Sequence, residues 1–434
     1  MRWLPRILKD PLASMVAASK EFGPVVRVPF GSRVNHLVTT PEHFKHVLAE
    51  NAANYSKGRT FEKTRGYLGN GLSTSSGDFW RRQRRLMQPH FHKEAVRELS
   101  ALMTTTIDEV AGRWEKRAAT GEVFDVWPEM MALALRVTTR ALFGTEVGDL
   151  DVIVKSFQIA LDHTTRRVLN PFDIPDWLPT LHNIRYKRAL TSLDSLVYAL
   201  IAEQRKVPKP HTLLGMLLAA RDPETGEEMS DAQLRDEITT LMLGGHETTG
   251  NALAWSWYLL SRNPEARAKM LAEVAAIGGD ATLEHHDKLA WTTGVFLESM
   301  RIYPQNWVMS RDTIGEDTIG GFTIPAGTTV FLGVFVSHRD AAFWPDPEKF
   351  DPGRFVGEPE KGRHPFSYIP FGGGQRKCVG STFATFEAAL VLARLSRRFD
   401  VRVPDGLTVL PKPSFALRPR GGVPVKLSLA TGHS

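Results

Sequence analysis

One cysteine, Cys378, stands in a chain of 434 residues, close behind the glycine triplet Gly372-Gly373-Gly374. A single thiol excludes an intrachain disulfide framework and every cysteine-rich zinc or iron–sulfur site, because those need two to four thiolates. The fold must therefore be held by its apolar core. With 42% hydrophobic and 24% charged residues, the chain has the material for one. There is no fixed-period repeat, low-complexity tract or Gly/Ser linker, so residues 1–434 read as a single domain although their length could hold more.

Charge and targeting signals narrow the function classes. Lys plus Arg exceed Asp plus Glu by 54 − 48 = 6, and the pI is about 9.3. That excess is modest, and no recognised nucleic-acid module or cluster of basic and aromatic residues accompanies it. The longest apolar run, Val330 to Val336, is interrupted by Gly333 and falls far short of the ~18 residues of a membrane span. The start, Met1-Arg2-Trp3-Leu4-Pro5, lacks the apolar core and cleavage site of a secretory signal. A cytoplasmic location follows by elimination.

Periodicity gives a mainly α chain with a small β-sheet lobe, an α+β architecture. The helical body covers about residues 80–303 and 380–400, and the β-rich lobe, discontinuous in sequence, about 25–60, 305–336 and 401–430. Val25 to Thr39 reads as a hairpin around Gly31. Gly320 to Ile324 and Thr328 to Val336 read as a second, turning at Pro325-Ala326-Gly327. Ser230-Asp231 caps a helix over Ala232 to Ser261 that Asn263-Pro264 ends.

Two segments are poor choices for plain structure. Phe371-Gly372-Gly373-Gly374-Gln375-Arg376-Lys377-Cys378-Val379-Gly380 brings the thiol to the start of an apolar helix, where the dipole and Arg376 favour thiolate. Within the long helix, Gly244, Gly245 and Gly250 each cost ~1 kcal/mol relative to Ala. Thr248 stands four residues after Gly244, so its hydroxyl can bond the Gly244 carbonyl and distort the ladder. His246-Glu247 begins like a zinc-protease motif, but Gly250 takes the place of the second histidine.

The cysteine segment resembles the ligand loop of the cytochrome P450 haem-thiolate monooxygenases, Phe-x-x-Gly-x-Arg-x-Cys-x-Gly, at Phe371, Gly374, Arg376, Cys378 and Gly380. The resemblance extends over effectively the whole chain. It implies the cytochrome P450 fold and haem b on the Cys378 thiolate, with Phe371 packed near the sulfur and Gly380 among the cofactor-binding residues. A thiolate pushes electron density to iron and favours O–O cleavage. Gly244-Gly245-His246-Glu247-Thr248 is similar to the family's acid–alcohol motif, which implies Glu247 and Thr248 as a proton relay to dioxygen. Trp80 and Arg84 resemble the Trp-x-x-x-Arg pair on a haem propionate, with Arg311 and Arg376 as further propionate contacts.

Glu298 and Arg301, three apart on a helix, are within ion-pair reach. They resemble the family's Glu-x-x-Arg motif, which with Arg354 implies a structural Glu–Arg–Arg network that steadies the loop to Cys378. Arg81, Arg82 and Arg85 face solvent in this reading, as a docking patch for an acidic ferredoxin or flavodoxin, with a plain solvated basic helix as the alternative. His285-His286-Asp287 reads as a solvated loop.

By the same resemblance Phe61, Leu72, the segment 161–178, Leu241, Gly244, Gly245, Asn306, Trp307, Val308 and Phe415 wall an apolar substrate pocket. Asn306 or Trp307 would meet a polar group on the substrate. The implied activity is hydroxylation or epoxidation of a terpenoid, polyketide or fatty-acid-like molecule, using dioxygen and electrons from a separate ferredoxin or flavodoxin and its reductase. Oxidative coupling or rearrangement without oxygen insertion, and a haem sensor without turnover, remain the alternatives.

Overall fold

The structure, a computed structural model, describes residues 4–30, 33–145, 148, 150–169, 175–358 and 361–430. Its centre is the long helix expected after Ser230. That residue accepts from the Gln233 backbone N–H while the Gln233 side chain bonds back, a capping box. The helix runs Asp231–Leu243, opens into a π turn at Gly244–Thr248, and resumes over Thr249–Arg262. Every residue from Thr249 to Leu260 is buried, so this half is a core helix rather than an amphipathic one.

The neighbouring helices pack against it: Val126–Phe143, Ala290–Ile302 and Ser381–Arg398. Gly250 allows one close approach, since a Cβ there would lie 2.8 Å from the Met131 backbone. Fully buried Trp114 meets Phe124 and Phe399 edge-on, with centroids 5.9 and 5.7 Å apart. Each such pair contributes ~1 kcal/mol beyond its buried area.

The β lobe is a five-stranded sheet in the order Val25–Phe30, Arg33–Val38, Thr329–Leu332, Met309–Thr313, Tyr55–Ser56. The first hairpin forms as expected, with Val25 opposite Val38, and its Gly31 turn lies outside the described residues. The second expected hairpin is not formed. Phe322–Ile324 turns back at Gly320-Gly321 to pair with Asp317–Ile319. Thr329–Leu332 pairs instead with Met309–Thr313 and, in parallel, with Arg33–Val38. After Gly333 the apolar run becomes a short helix, Val334–Ser337. Its apolar character did not distinguish a buried strand from a buried helix.

A strand the sequence reading missed, Val123–Asp125, joins Pro424–Leu429 and Phe399–Arg402 in a second sheet, while Pro411–Pro413 pairs with Leu417–Pro419. Among the described residues no helix is long and apolar enough to cross a membrane.

Candidate active site

The Cys378 loop is shaped by its glycines. Gly374 has φ +64°, and a Cβ on it would sit 1.9 Å from the Leu48 carbonyl oxygen, so no other residue fits. The turn closes when the Cys378 N–H donates to the Phe371 carbonyl at 2.8 Å. Cys378 precedes Gly380, the N-cap of helix Ser381–Arg398, and its exposed surface opens into an internal cavity. Burial pushes its thiol pKa up, opposed by the Gly380 N–H and by Arg84, Lys377 and Lys57.

The cavity has a volume of about 960 Å³. Phe371, Cys378 and Gly380 form one part of its wall, and Gly244, Gly245 and Thr248 of the π turn another. All nine individually named wall residues line it: Phe61, Leu72, Leu241, Gly244, Gly245, Asn306, Trp307, Val308 and Phe415. Of the segment 161–178, Leu161, Thr164 and Thr165 do so, while residues 170–174 lie outside the described residues.

The Trp307 indole N–H donates to the Ser414 carbonyl at 2.9 Å, so it is not the substrate donor expected. Asn306 remains exposed. The two glycines differ: a Cβ on Gly244 would meet nothing within 4 Å, whereas one on Gly245 would lie 2.3 Å from Thr138 Oγ1. Gly244 keeps space open, and Gly245 permits helix contact.

Charge along this wall is one-sided. No Asp or Glu is among the described lining residues, yet Trp80 and five cations, Lys57, Arg84, Arg311, Arg376 and Lys377, line it near the thiol. Arg84 donates to the Lys377 carbonyl at 2.8 Å, and the Arg376 guanidinium lies 4.3 Å from the Trp80 ring centre. Arg311 donates to its neighbouring Ser310 carbonyl, and Arg376 Nη2 to the Ser75 carbonyl, leaving Arg376 Nη1 buried without a partner.

Burial lowers the pKa of Arg311 and of Arg376 to about 10, and burial beside both arginines lowers that of Lys57. Among the described residues no carboxylate pairs with any of these three. Unmatched buried cations are costly unless a ligand supplies the anions. The group the site fits is therefore anionic, apolar-bodied and able to take a thiolate, which describes haem with its two carboxylates. Lys57 was not anticipated, and only its nearness to Phe61 in sequence hinted at it.

Behind the π turn, Thr248 Oγ1 donates to the Gly244 carbonyl at 2.6 Å, as its spacing foretold. Glu247 is buried and is not part of the cavity lining. Its Oε1 accepts from Arg418 Nε at 2.7 Å and from Asn251 Nδ2 at 3.2 Å, and Asn251 accepts from the Trp127 indole at 2.7 Å. Arg418 comes from strand Leu417–Pro419, far away in sequence.

The charged network forms as expected. Arg301 grips Glu298 through two bonds of 2.7 Å, both side chains being fully buried, and Arg354 Nε lies 3.4 Å from Glu298. Arg301 also donates to the carbonyls of His338, Pro347 and Lys349, tying the segment that leads toward the Cys378 loop. The basic patch does not form as expected. Arg82 and Arg85 pair with Asp222 at 3.3 and 3.0 Å, and Arg85 also with Glu224, so only Arg81 of the three is mostly exposed, beside Asp78. His285 bonds Thr282 and His286 packs on Phe386.

A sequence model of the family described as Cytochrome P450 matches residues 1–426. Cyclooctatin synthase of Streptomyces melanosporofaciens is 36% identical, over 94% of this chain and 89% of that protein. Cyclooctat-9-en-7-ol 5-monooxygenase of the same organism is 35% identical, over 91% and 86%. The crystal structure of the cytochrome P450DA heme domain superposes with a TM-score of 0.90 at 26% identity, covering 98% of this chain and 94% of that one.

Proposed function

Because this chain belongs to the cytochrome P450 family, we propose that it holds haem b on the Cys378 thiolate and hydroxylates a cyclic terpenoid. The observation that carries the reading is the shared cavity: the only thiol and the π turn line one apolar space whose charged lining residues, among those described, are all cationic. The terpenoid class is supported by the two relatives, one of which is named for an unsaturated cyclic alcohol. One buried cluster that includes residues from Tyr67 to Leu427 supports a single domain over residues 1–434. A separate ferredoxin or flavodoxin with its reductase, in the cytoplasm, supplies the electrons.

Haem iron on a thiolate supplies the reductive activation of dioxygen. The protein's own work is positioning and proton control. Lys57, Arg311 and Arg376 would neutralise the two propionates of the bound group, with Arg84 and Trp80 beside them. Gly244 leaves space open in the cavity, and Leu72, Leu241, Val308 and Phe415 would exclude water and hold the hydrocarbon. Thr248 Oγ1 can offer its hydroxyl proton at the π turn once it releases the Gly244 carbonyl. Glu247 can replenish it only after its carboxyl leaves Arg418. Asn306 offers an amide to a substrate hydroxyl.

The test is the absorption spectrum of the dithionite-reduced protein with carbon monoxide, followed by product mass after reconstituted turnover on terpenoid alcohols. A strongly red-shifted Soret band lost in Cys378→Ser, and products heavier by one oxygen, are expected. A band typical of histidine ligation, or products of unchanged oxygen content, would overturn the proposal.

A further inference from the structure

Two consecutive carboxyl groups on the central helix hold the backbone of a segment that walls the cavity. Asp236 Oδ2 accepts from the Asn70 N–H at 2.7 Å, and Glu237 Oε2 from the Leu72 N–H at 2.9 Å. The contact is close because residues 69 and 71 are glycines: a Cβ on Gly69 would lie 2.0 Å from Asp236 Oδ1, and one on Gly71 2.8 Å from the Asp236 carbonyl oxygen. The same Gly71 faces Thr240 Oγ1, and Leu72 and Ser73 line the cavity beside Thr240 and Leu241. Three residues beyond Leu72, the Ser75 carbonyl accepts from Arg376 Nη2.

We infer that Glu237, seconded by Asp236, is a positioning residue that clasps the strap 69–72 onto the central helix and thereby sets the cavity wall at Leu72. The inference rests on the reading of this cavity as the haem and substrate site. Nothing in the acid–alcohol motif or the Cys378 loop requires a carboxyl at this place. Glu237 is fully buried, and its other oxygen accepts from Gln83 Nε2 of helix Gly77–Met87 at 3.1 Å.

The charges around the clasp are Asp236; Arg235, which bonds both Asp236 and Asp194 of helix Leu181–Lys206; and Arg65 on the Thr74 carbonyl. Of these only Asp236 acts on Glu237, and it acts in the same direction as burial, which pushes the carboxyl up to about 8. The neutral form also suits the geometry. Gln83 Oε1 is buried without a partner, and turning that amide over lets it accept the carboxyl proton.

The sign follows from linkage. Released into water when the strap opens, the carboxyl returns to an ordinary value near ~4.5, so opening is favoured as pH rises from there to about 8 and no further. Amide hydrogen exchange of residues 66–76 in the haem-loaded protein measures this directly, with wild type and Glu237→Gln compared at the same pH so that intrinsic rates cancel. The ratio of wild-type to variant exchange is expected to climb by up to ~10-fold per unit from about pH 6 to 8 and then level. Glu237→Ala is expected to exchange fast at every pH. A ratio that stays flat, or an alanine variant whose amides at 70 and 72 remain protected, overturns the clasp. Carbon monoxide spectra of the same samples separate the two readings. A normal band with a flat ratio sinks the clasp alone, whereas no band in the wild type with a climbing ratio sinks the haem assignment and retains the clasp.

Discussion

The charges around Glu298 and those around the cavity beside Cys378 are built on opposite plans. Around Glu298 each charge has its partner within the chain: Arg301 is bonded to both carboxylate oxygens and to three backbone carbonyls. Around the cavity, Lys57, Arg311 and Arg376 meet, among the described residues, backbone carbonyls, the Phe61 and Trp80 rings, one another and the thiol, and no carboxylate. The first set is complete without a ligand and does structural work. The second has no anionic partner among the described residues, as the proposed binding of an anionic ligand requires. Buried cations matched inside the protein report on architecture, and unmatched ones report on what the protein binds.

The sharpest way to break that contrast is Glu298→Ala. It strands Arg301 at a fully buried position and is expected to cost ~3–5 kcal/mol, with haem lost at lower temperature than in the wild type. Thermal melting followed at the Soret band and by far-UV circular dichroism checks it, and an unchanged midpoint would refute the structural role. Arg311→Met should do the reverse in the haem-free protein. Removal of an unmatched buried cation raises its stability to urea by ~1–3 kcal/mol. The same variant should release haem faster to a scavenging apoglobin, because a propionate loses its partner. Destabilised apoprotein with unchanged haem release would abolish the distinction between the two sets.

The smallest effect is expected at Arg85. Since it already pairs with Asp222 and Glu224, Arg85→Ala should alter the rate of electron transfer from a ferredoxin by less than ~2-fold and leave its salt dependence intact. A large loss would restore the basic helix as a docking patch.

The cysteine loop and the helix defect were legible because their chemistry is contiguous. A glycine triplet before a thiol, and a threonine four residues after a glycine, carry their geometry in local spacing. The π turn falls on Gly244–Thr248, where the threonine spacing had placed a defect. The three-residue spacing of Glu298 and Arg301 likewise sufficed for their ion pair. The second hairpin was misread because Phe322–Ile324 and Thr329–Leu332 have strand character without naming their partners. Pairing was decided by the glycine pair at 320–321 and by a parallel neighbour from the start of the chain.

The sequence by itself determined the α+β class, the unique thiol on a glycine turn and the weakened helix, and its family resemblance implied the cavity-wall residues. Tertiary structure alone decided which charges would be satisfied. Arg418 reaches Glu247 across 171 residues and Asp222 reaches Arg85 across 137, whereas no carboxylate pairs with Arg311 or Arg376 among the described residues. The reason is physical: local spacing fixes dihedrals and helix faces, but a charge is read by its surroundings. For a buried group those are supplied by segments that only folding brings together.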